Sequence, residues 1–261
     1  MQTRVSAPDG TDLVVSTHAE GPTVVFVHGS HGGLDSWSAV ADHLTGHRIV
    51  RYTRRNHPPS GNGLSTNDFG VEAGDLLAVI GAVAAEGAHV VGASYGATVA
   101  LHAALEAPER ITSLALFEPP LLLSGPHLTP ILERFQSLCA EGRFKSALEL
   151  FLREAAQVPA EVLAIGLPIP DDPAAARAAA EDLAAMATDS PDVARWAAIS
   201  APVLLMQGAL SWPPIPDGMD QLAAALPQAQ RAIWPDQSHF ATAAAPELVA
   251  GALQEFLDRS S

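Results

Sequence analysis

The sequence predicts an α/β fold in which helices cover both faces of a mostly parallel sheet. Short apolar runs alternate with helical patterns over most of the chain, and this alternation is typical of a parallel sheet buried on both sides. The chain has 261 residues, of which 48% are hydrophobic and 16% charged, so it is long enough to bury one full hydrophobic core. Strand patterns disappear between residues 121 and 198, which indicates a helical insertion.

The predicted strands are short runs rich in valine, leucine and isoleucine. An initial hairpin comes first, because Val5 and the run 13–15 flank the turn at 8–10. Parallel strands are then predicted at 23–27, 48–52, 88–91, 113–117, 202–206 and 230–234. Their exits should share one edge of the sheet, where open α/β sheets bind ligands.

Helical spacing of apolar residues predicts the connections. A crossover helix is predicted from Phe69 to Val83, with Ser65, Thr66 and Asn67 as candidate caps. Further helices outside the insertion are predicted at 97–105, 222–226 and 246–257.

The insertion has amphipathic patterns of its own. They centre on 131–135, 148–152 and 193–196. Ser190-Pro191 is a favourable start for the last of these helices. We therefore predict an α/β core over 1–120 and 199–261 and a helical cap over 121–198.

Charge and composition exclude several classes of partner. The formal net charge is −15, from 29 acidic and 14 basic residues, which opposes binding to nucleic acid or to an anionic membrane surface. No apolar run approaches the ~20 residues of a spanning helix, and the first residues lack the apolar core of a secretion signal. Cys139 is the single cysteine and is expected to be a buried packing residue. We predict a cytoplasmic protein whose partner is a small molecule, and the sequence does not indicate an oligomeric state.

The strongest functional motif is Gly92-Ala93-Ser94-Tyr95-Gly96, between a predicted strand and a predicted helix. A serine on such a sharp turn is pushed out of the sheet, and the glycines allow the strand, turn and helix to cross closely. Ser94 is therefore the candidate nucleophile, with an ordinary strand-to-helix turn as the alternative.

A glycine-rich turn over 28–33 follows the first parallel strand. Its backbone N–H groups have no strand partners, so the turn is suited to hold an anion. With Ser94 as nucleophile, the N–H groups of Ser30 and Tyr95 are the candidate oxyanion hole, and a phosphate site or a structural turn are the alternatives. The chain has neither a G-x-G-x-x-G nor a P-loop pattern, and we predict no cofactor. His31 is a candidate substrate contact, with simple solvent exposure as the alternative.

A serine hydroxyl is a poor nucleophile until a base accepts its proton. His239 follows the last predicted strand, where it can reach Ser94 across the strand ends. His57 lies in another strand-exit loop, where solvent exposure is expected and substrate contact is the alternative. No pair of histidines has metal-ligand spacing near a carboxylate or cysteine, so no metal site is predicted.

Several motifs thus fall at strand exits. They are His28-Gly29, Arg54-Arg55, the serine motif at 92–96, the run 202–208 and Ser238-His239. In this combination the chain resembles the α/β-hydrolase superfamily, in its small cap-bearing members, over essentially its whole length. The resemblance implies a serine hydrolase of the esterase or lactonase type.

One residue of the family pattern is missing. In most of the family the turn after the strand that follows the cap carries an aspartate that orients the histidine, but here that turn is Gly208-Ala209-Leu210-Ser211. Serine cannot carry the charge that stabilises an imidazolium. Glu118, which ends the strand at 113–117, is the candidate replacement, and Pro119 is expected to hold it in an extended backbone. The alternatives are pairing of Glu118 with a cap arginine, an acid at Asp217, Asp220 or Asp236, or no acid at all.

Three functions are compatible with these residues. The leading hypothesis is hydrolysis of an ester, thioester or lactone through an acyl-serine, with Trp212 as a candidate wall of the substrate pocket. The second is a lyase, cyclase or acyltransferase on the same fold. The third is a small-molecule binding protein without catalysis.

Overall fold

The computed structural model describes residues 1–164 and 168–260. The strands are β1 (Gln2–Ser6), β2 (Asp12–His18), β3 (Thr23–Val27), β4 (Arg48–Tyr52), β5 (Ala88–Ala93), β6 (Ile111–Phe117), β7 (Val203–Gly208) and β8 (Gln230–Trp234). They form one sheet in the order β1-β2-β4-β3-β5-β6-β7-β8. The pairs β1/β2 and β2/β4 are antiparallel, and every pair from β4 to β8 is parallel.

The α-helices are α1 (Ser38–Ala41), α2 (Phe69–Val83), α3 (Tyr95–Glu106), α4 (Thr129–Ala140), α5 (Phe144–Leu150), α6 (Ala160–Ala164), α7 (Pro173–Thr188), α8 (Ile215–Ala225), α9 (Ala241–Ala244) and α10 (Pro246–Ser260). Leu76 of α2 and Val99 of α3 belong to the core on one face of the sheet. Val40 of α1 and Leu253 of α10 belong to the core on the other face. The predicted arrangement, a mostly parallel sheet between two helical layers, is confirmed.

The helices α4 to α7 lie between β6 and β7, where the sequence predicts an insertion. Its last predicted helix is a 3-10 helix, Val193–Ala198, which begins after Asp192 rather than at Ser190-Pro191. Cys139 is half-buried and packs at the edge of the core, whereas Phe135 of the same helix is fully buried. The expectation that Cys139 is buried is therefore only partly met, because α4 presents one face to the core.

Two helix starts differ from the prediction for local reasons. The cap of α2 is Asp68, whose carboxylate accepts a hydrogen bond from the amide of Val71 at 2.7 Å, and not one of residues 65–67. The helix predicted at 222–226 begins at Ile215, and its first turn includes Pro216. Proline is tolerated there because the first N–H groups of a helix have no partner within the helix.

The crossing of β3, β5 and α3 depends on two glycines. A Cβ on Gly96 would lie 2.5 Å from the carbonyl oxygens of both Val27 and His28, and one on Gly92 would lie 2.6 Å from the carbonyl oxygen of Gly96. These neighbours are backbone atoms of the sheet and the helix, so they cannot rotate away. The two glycines of the serine motif therefore allow the helix to start directly against the strand exits.

We predict that Gly96→Ala lowers the free energy of unfolding by about 1–3 kcal/mol, the usual cost of overpacking, as measured by urea denaturation. Gly251→Ala is the matched control, because Gly251 is an exposed residue of α10 and an added methyl meets no described atom within 4 Å. That variant should gain up to about 1 kcal/mol from helix propensity. Equal stability of the two variants would contradict this account of the crossing.

Candidate active site

The serine motif forms the predicted sharp turn between β5 and α3. Ser94 has φ 52° and ψ −124°, a left-handed backbone that costs roughly 1–3 kcal/mol in a residue other than glycine. Its amide donates to the carbonyl oxygen of Phe117 at 2.8 Å, which holds the turn to the end of β6. The Ser94 side chain is half-buried and lines a cavity.

The glycine-rich turn lies against this serine. A Cβ on Gly29 would be 3.1 Å from the carbonyl oxygen of Ala93 and 3.2 Å from Cβ of Ser94, so the backbone before Ser30 runs close beside the serine. Tyr95 is the first residue of α3, and the first N–H groups of a helix have no partner within it. Ser30 and Tyr95 both line the cavity that Ser94 lines.

His239 is brought to the same cavity by the loop after β8. Its Nδ1 lies 2.6 Å from Oε2 of Glu118, whose side chain is fully buried. A carboxylate accepts this hydrogen bond when Nδ1 carries the proton, and Nε2 is then the acceptor of the ring. The contact thus favours the tautomer in which Nε2 can accept a proton.

Glu118 joins three elements through one carboxylate. Oε1 accepts hydrogen bonds from the amide of Gly208 at 2.8 Å and from the hydroxyl of Ser211 at 2.7 Å, while Oε2 faces His239. A Cβ on Gly208 would lie 2.4 Å from the carbonyl oxygen of Gln237, so the loop that carries His239 packs directly on the end of β7. Ser211 stands at the position where the family pattern expects an aspartate, and its hydroxyl donates to the carboxylate of Glu118.

The backbone of Glu118 differs from the prediction. Pro119 was expected to favour an extended conformation at Glu118, but its φ is +45°, in the left-handed region. Hydrogen bonds to a charged group contribute about 1.5–3 kcal/mol each, and the carboxylate makes three. These contacts outweigh a local strain of roughly 1–3 kcal/mol, which explains why the expectation was wrong.

The other candidate acids lie elsewhere. Asp217 and Asp220 are exposed residues of α8, and Asp220 pairs with Arg231 at 2.8 Å. Asp236 is exposed in its own loop. Among the described residues, Glu118 is hydrogen-bonded to His239. None of these three aspartates forms a described hydrogen bond with His239.

Trp212 and His31 both line the cavity at Ser94. The indole N–H of Trp212 donates to the carbonyl oxygen of Ala156 at 2.9 Å, and its ring lies edge-on to that of His239 with centroids 5.5 Å apart. His31 is exposed and packs edge-on against Phe151 at 5.0 Å. His57 was expected to be exposed, but it is buried because it packs against a buried cluster of charged side chains, with its Nε2 3.3 Å from a guanidinium nitrogen of Arg54.

That cluster centres on Arg54, which is fully buried. Its guanidinium contacts Glu72 of α2 at 2.8 Å and Asp182 of α7 at 2.8 Å. We call these three side chains the Arg54 cluster. The Nε of Arg54 also donates to the carbonyl oxygen of His28 at 3.1 Å. The guanidinium carbon of Arg54 lies 4.2 Å from the centre of the Tyr95 ring. The cluster thus joins the core, the insertion and the turn next to Ser94.

The charges in the cluster are maintained despite burial. Burial opposes the charge on Arg54, but Asp182 and Glu72 outweigh it and raise the pKa of the guanidinium well above its ordinary value. Burial likewise opposes ionisation of Asp182, and Arg54 outweighs it and lowers the pKa of that carboxyl, with a smaller contribution from the side chain of Ser30. Burial and the nearby Arg54 lower the pKa of His57, so this ring is neutral.

Sequence reasoning treated Arg54 only as part of a family motif and missed the cluster. A signal was present, because two adjacent arginines at the exit of an apolar strand are unusual in a chain with 14 basic residues. Their burial requires acidic partners, but the sequence does not say which of its 29 acidic residues supply them.

Residues 1–164 and 168–260 contain no group of three or more histidine, cysteine, aspartate or glutamate side chains arranged to hold a metal ion. Among the helices of those residues, none combines the length and apolarity needed to cross a bilayer.

Comparison with known proteins decides the family. The model of the alpha/beta hydrolase family matches residues 24–252. An alpha/beta hydrolase from Sphaerobacter thermophilus is 31% identical, with a TM-score of 0.83 over 98% of this chain and 100% of that one. The chain belongs to the α/β-hydrolase family. The resemblance predicted from the sequence motifs is confirmed.

Other α/β-hydrolases resemble this one in fold or in part. The enol-lactonase from Burkholderia xenovorans is 20% identical, with a TM-score of 0.79 over 98% of this chain and 100% of that one, which shows a shared fold. A pimeloyl-[acyl-carrier protein] methyl ester esterase from Methylococcus capsulatus is 42% identical over 108 residues, 40% of this chain and 39% of that protein. The chain spans about two fifths of the length of the curated relatives it matches.

We predict that Asp182→Ala lowers the free energy of unfolding by about 3–5 kcal/mol, because it leaves a buried guanidinium without one of its two partners. Chemical denaturation measures the change. Glu154→Ala is the matched control, since it removes the exposed ion pair with Arg134, for which less than about 1 kcal/mol is expected. A loss for Asp182→Ala as small as that of the control would show that the cluster does not stabilise the fold.

Proposed function

We propose that this α/β-hydrolase is a serine hydrolase that cleaves an ester, thioester or lactone of a small, largely apolar substrate through an acyl-serine intermediate. The observation that carries the proposal is the 2.6 Å contact between Nδ1 of His239 and the buried carboxylate of Glu118, in a cavity that Ser94 and His239 both line. The named activities of the relatives, an ester hydrolase and an enol-lactonase, support the same reaction class.

Each residue has a chemical role in this proposal. The hydroxyl oxygen of Ser94 attacks the substrate carbonyl while Nε2 of His239 accepts its proton. The N–H groups of Ser30 and Tyr95 stabilise the oxyanion. Glu118 keeps His239 in the required tautomer and stabilises the imidazolium that forms. His239 then protonates the leaving group, and water releases the acyl group by the reverse sequence of proton transfers.

The site favours hydrolysis over the rival hypotheses. The absence of an aspartate at position 211 was the reason to consider a lyase, cyclase or acyltransferase. Glu118 supplies a carboxylate to His239 in place of that aspartate. A binding protein without chemistry has no need of a buried acid hydrogen-bonded to a histidine beside a strained serine. We also propose that residues 121–198 act as a cap over the core, since Phe151 and Met186 from this segment line the cavity at Ser94.

We expect Ser94→Ala to reduce kcat/KM for an ester substrate by at least about 10⁴-fold, as loss of a nucleophile does. A serine-directed phosphonate should label the wild-type protein at Ser94, detected by mass spectrometry of its peptides. Ser137→Ala, an exposed serine of α4, is the control and should retain both activity and labelling. Turnover that survives Ser94→Ala would argue for the rival reactions.

Glu118→Gln should lower kcat by about 10²–10⁴-fold, because it keeps the shape of the side chain and removes the charge that stabilises the imidazolium. Steady-state kinetics with circular dichroism of the folded variant measure this. The controls are Asp217→Asn and Asp236→Asn, which neutralise two of the three aspartates that the sequence left open and should be indistinguishable from wild type. A Glu118→Gln rate within a few-fold of wild type would show that Glu118 does not act with Ser94 and His239 in catalysis.

A further inference from the structure

Two cavities meet at the candidate site. The first, of about 130 Å³, contains Ser94 and His239 in its wall, and we call it the inner chamber. The second, of about 670 Å³, extends under α7 past Ala175 and Ala178, and we call it the outer chamber. Four residues line both, namely Ser30, His31, Leu152 and Phe240. The proposed oxyanion donor Ser30 therefore stands at the junction.

The inner chamber is small, apolar and deep. Leu123, Phe151 and Val158 form part of its wall, and all three are buried. None of the described residues that line it is aspartate, glutamate, lysine or arginine. A cavity of about 150 Å³ with such a lining holds one benzene molecule, so this chamber has room for a group of about four to six carbons.

The outer chamber is larger and faces solvent. Pro168, Pro170 and Asp172, which line only this chamber, are exposed, and its volume lies within the range of about 300–1,000 Å³ typical of drug-sized ligands. Asp172 is the one charged side chain among its described lining residues, and the His57 ring there is neutral. With no lysine or arginine in this described lining, and a chain of net charge −15, the chamber suits a neutral group and disfavours a phosphorylated one.

We infer that the substrate is a neutral ester with a short apolar acyl group, held in the inner chamber, and a larger neutral alcohol or phenol, held in the outer chamber. This assignment rests on the proposed function. The bond from the hydroxyl oxygen of Ser94 to the acyl carbon forms as the bond to the alcohol oxygen breaks, and the alcohol takes its proton from His239. Water then gives a proton to His239 as it displaces Ser94, which recovers that proton.

The reverse orientation conflicts with the order of these steps. An alcohol in the inner chamber would lie between the acyl-serine and the buried wall at Leu123 and Phe151, and it would block departure of the first product. An alcohol in the outer chamber leaves directly to solvent, and the space it vacates admits water to the acyl-serine. The depth of the two chambers therefore sets which side of the ester each one takes.

The test uses two matched alanine-to-leucine variants of the full chain. Ala156 lines only the inner chamber and Ala175 only the outer chamber, and both are half-buried. The substrates are acetate, butyrate, hexanoate and decanoate esters of methanol and of 1-naphthol. For wild type we expect the highest kcat/KM with butyrate or hexanoate and a fall of about tenfold or more at decanoate, given about 1–3 kcal/mol per misfitting methylene.

Each variant should change one selectivity. Ala156→Leu should lower the hexanoate-to-acetate ratio of kcat/KM by about tenfold with either alcohol, because it fills the acyl side. Ala175→Leu should lower the naphthyl-to-methyl ratio by a similar factor at constant acyl group. Ala197→Leu, an exposed residue of the 3-10 helix, is the control and should leave both ratios unchanged.

The outcomes separate this inference from the proposed function. If wild type hydrolyses no ester of the panel and Ser94 resists the phosphonate, the proposed function fails and the assignment with it. If Ser94 is labelled and esters are hydrolysed, but the two ratios respond to the opposite variants or move together, the chamber assignment alone is overturned. Faster cleavage of a thioester whose leaving group carries a phosphate than of any neutral ester would also overturn the chamber assignment.

Discussion

The buried ion pairs of Arg54 hold the insertion against the core. A charged guanidinium without water must keep its partners, because an unpaired buried charge costs several kcal/mol. One partner, Glu72, lies on a core helix, and the other, Asp182, lies on α7 of the insertion. The hydroxyl of Tyr95 and the side-chain amide of Asn67 also donate to the carboxylate of Glu72. The insertion therefore cannot shift across the core without separating charges.

This constraint reaches the chambers through α7. Met186, one helical turn beyond Asp182, lines the inner chamber, and Ala178 and Ala175, about one and two turns before Asp182 respectively, line the outer chamber. Residues of this one helix thus line both spaces, and Asp182 ties the helix to Arg54 of the core. The side chain of Ser30 also hydrogen-bonds this carboxyl, so Asp182 contacts both the glycine-rich turn over 28–33 and Arg54.

Local sequence patterns were sufficient to predict the sheet, most helices and the strand-exit loops. Short-range signals determine these features, such as the apolar run before Gly92 and the proline that ends α3. The candidate acid was also accessible from the sequence, because Glu118 is the charged residue directly after an uncharged strand. Its backbone was predicted wrongly, since the left-handed φ depends on contacts with Gly208, Ser211 and His239, and these residues lie 90 or more positions away.

The features that escaped prediction depend on distant pairing. Arg54 and Asp182 are 128 residues apart, and the chain between them has other carboxylates that local patterns do not distinguish from Asp182. The chambers are spaces between helices whose spacing is fixed by that pairing, and the alanine-rich sequence of α7 carries no sign of their size. His57 was placed at the surface for the same reason, since its burial follows from the charges around it.

Glu118 shows how a carboxylate on a different strand can reach the histidine. A carboxylate at the exit of β6 must reach past β7 to the loop that carries His239, and the extra methylene of glutamate relative to aspartate provides part of that reach. The left-handed turn at Glu118 provides the direction. Ser211 and the amide of Gly208 then occupy one carboxylate oxygen, which leaves the other for His239. A serine at position 211 is therefore compatible with the proposed site, because its hydroxyl donates to the carboxylate that faces His239.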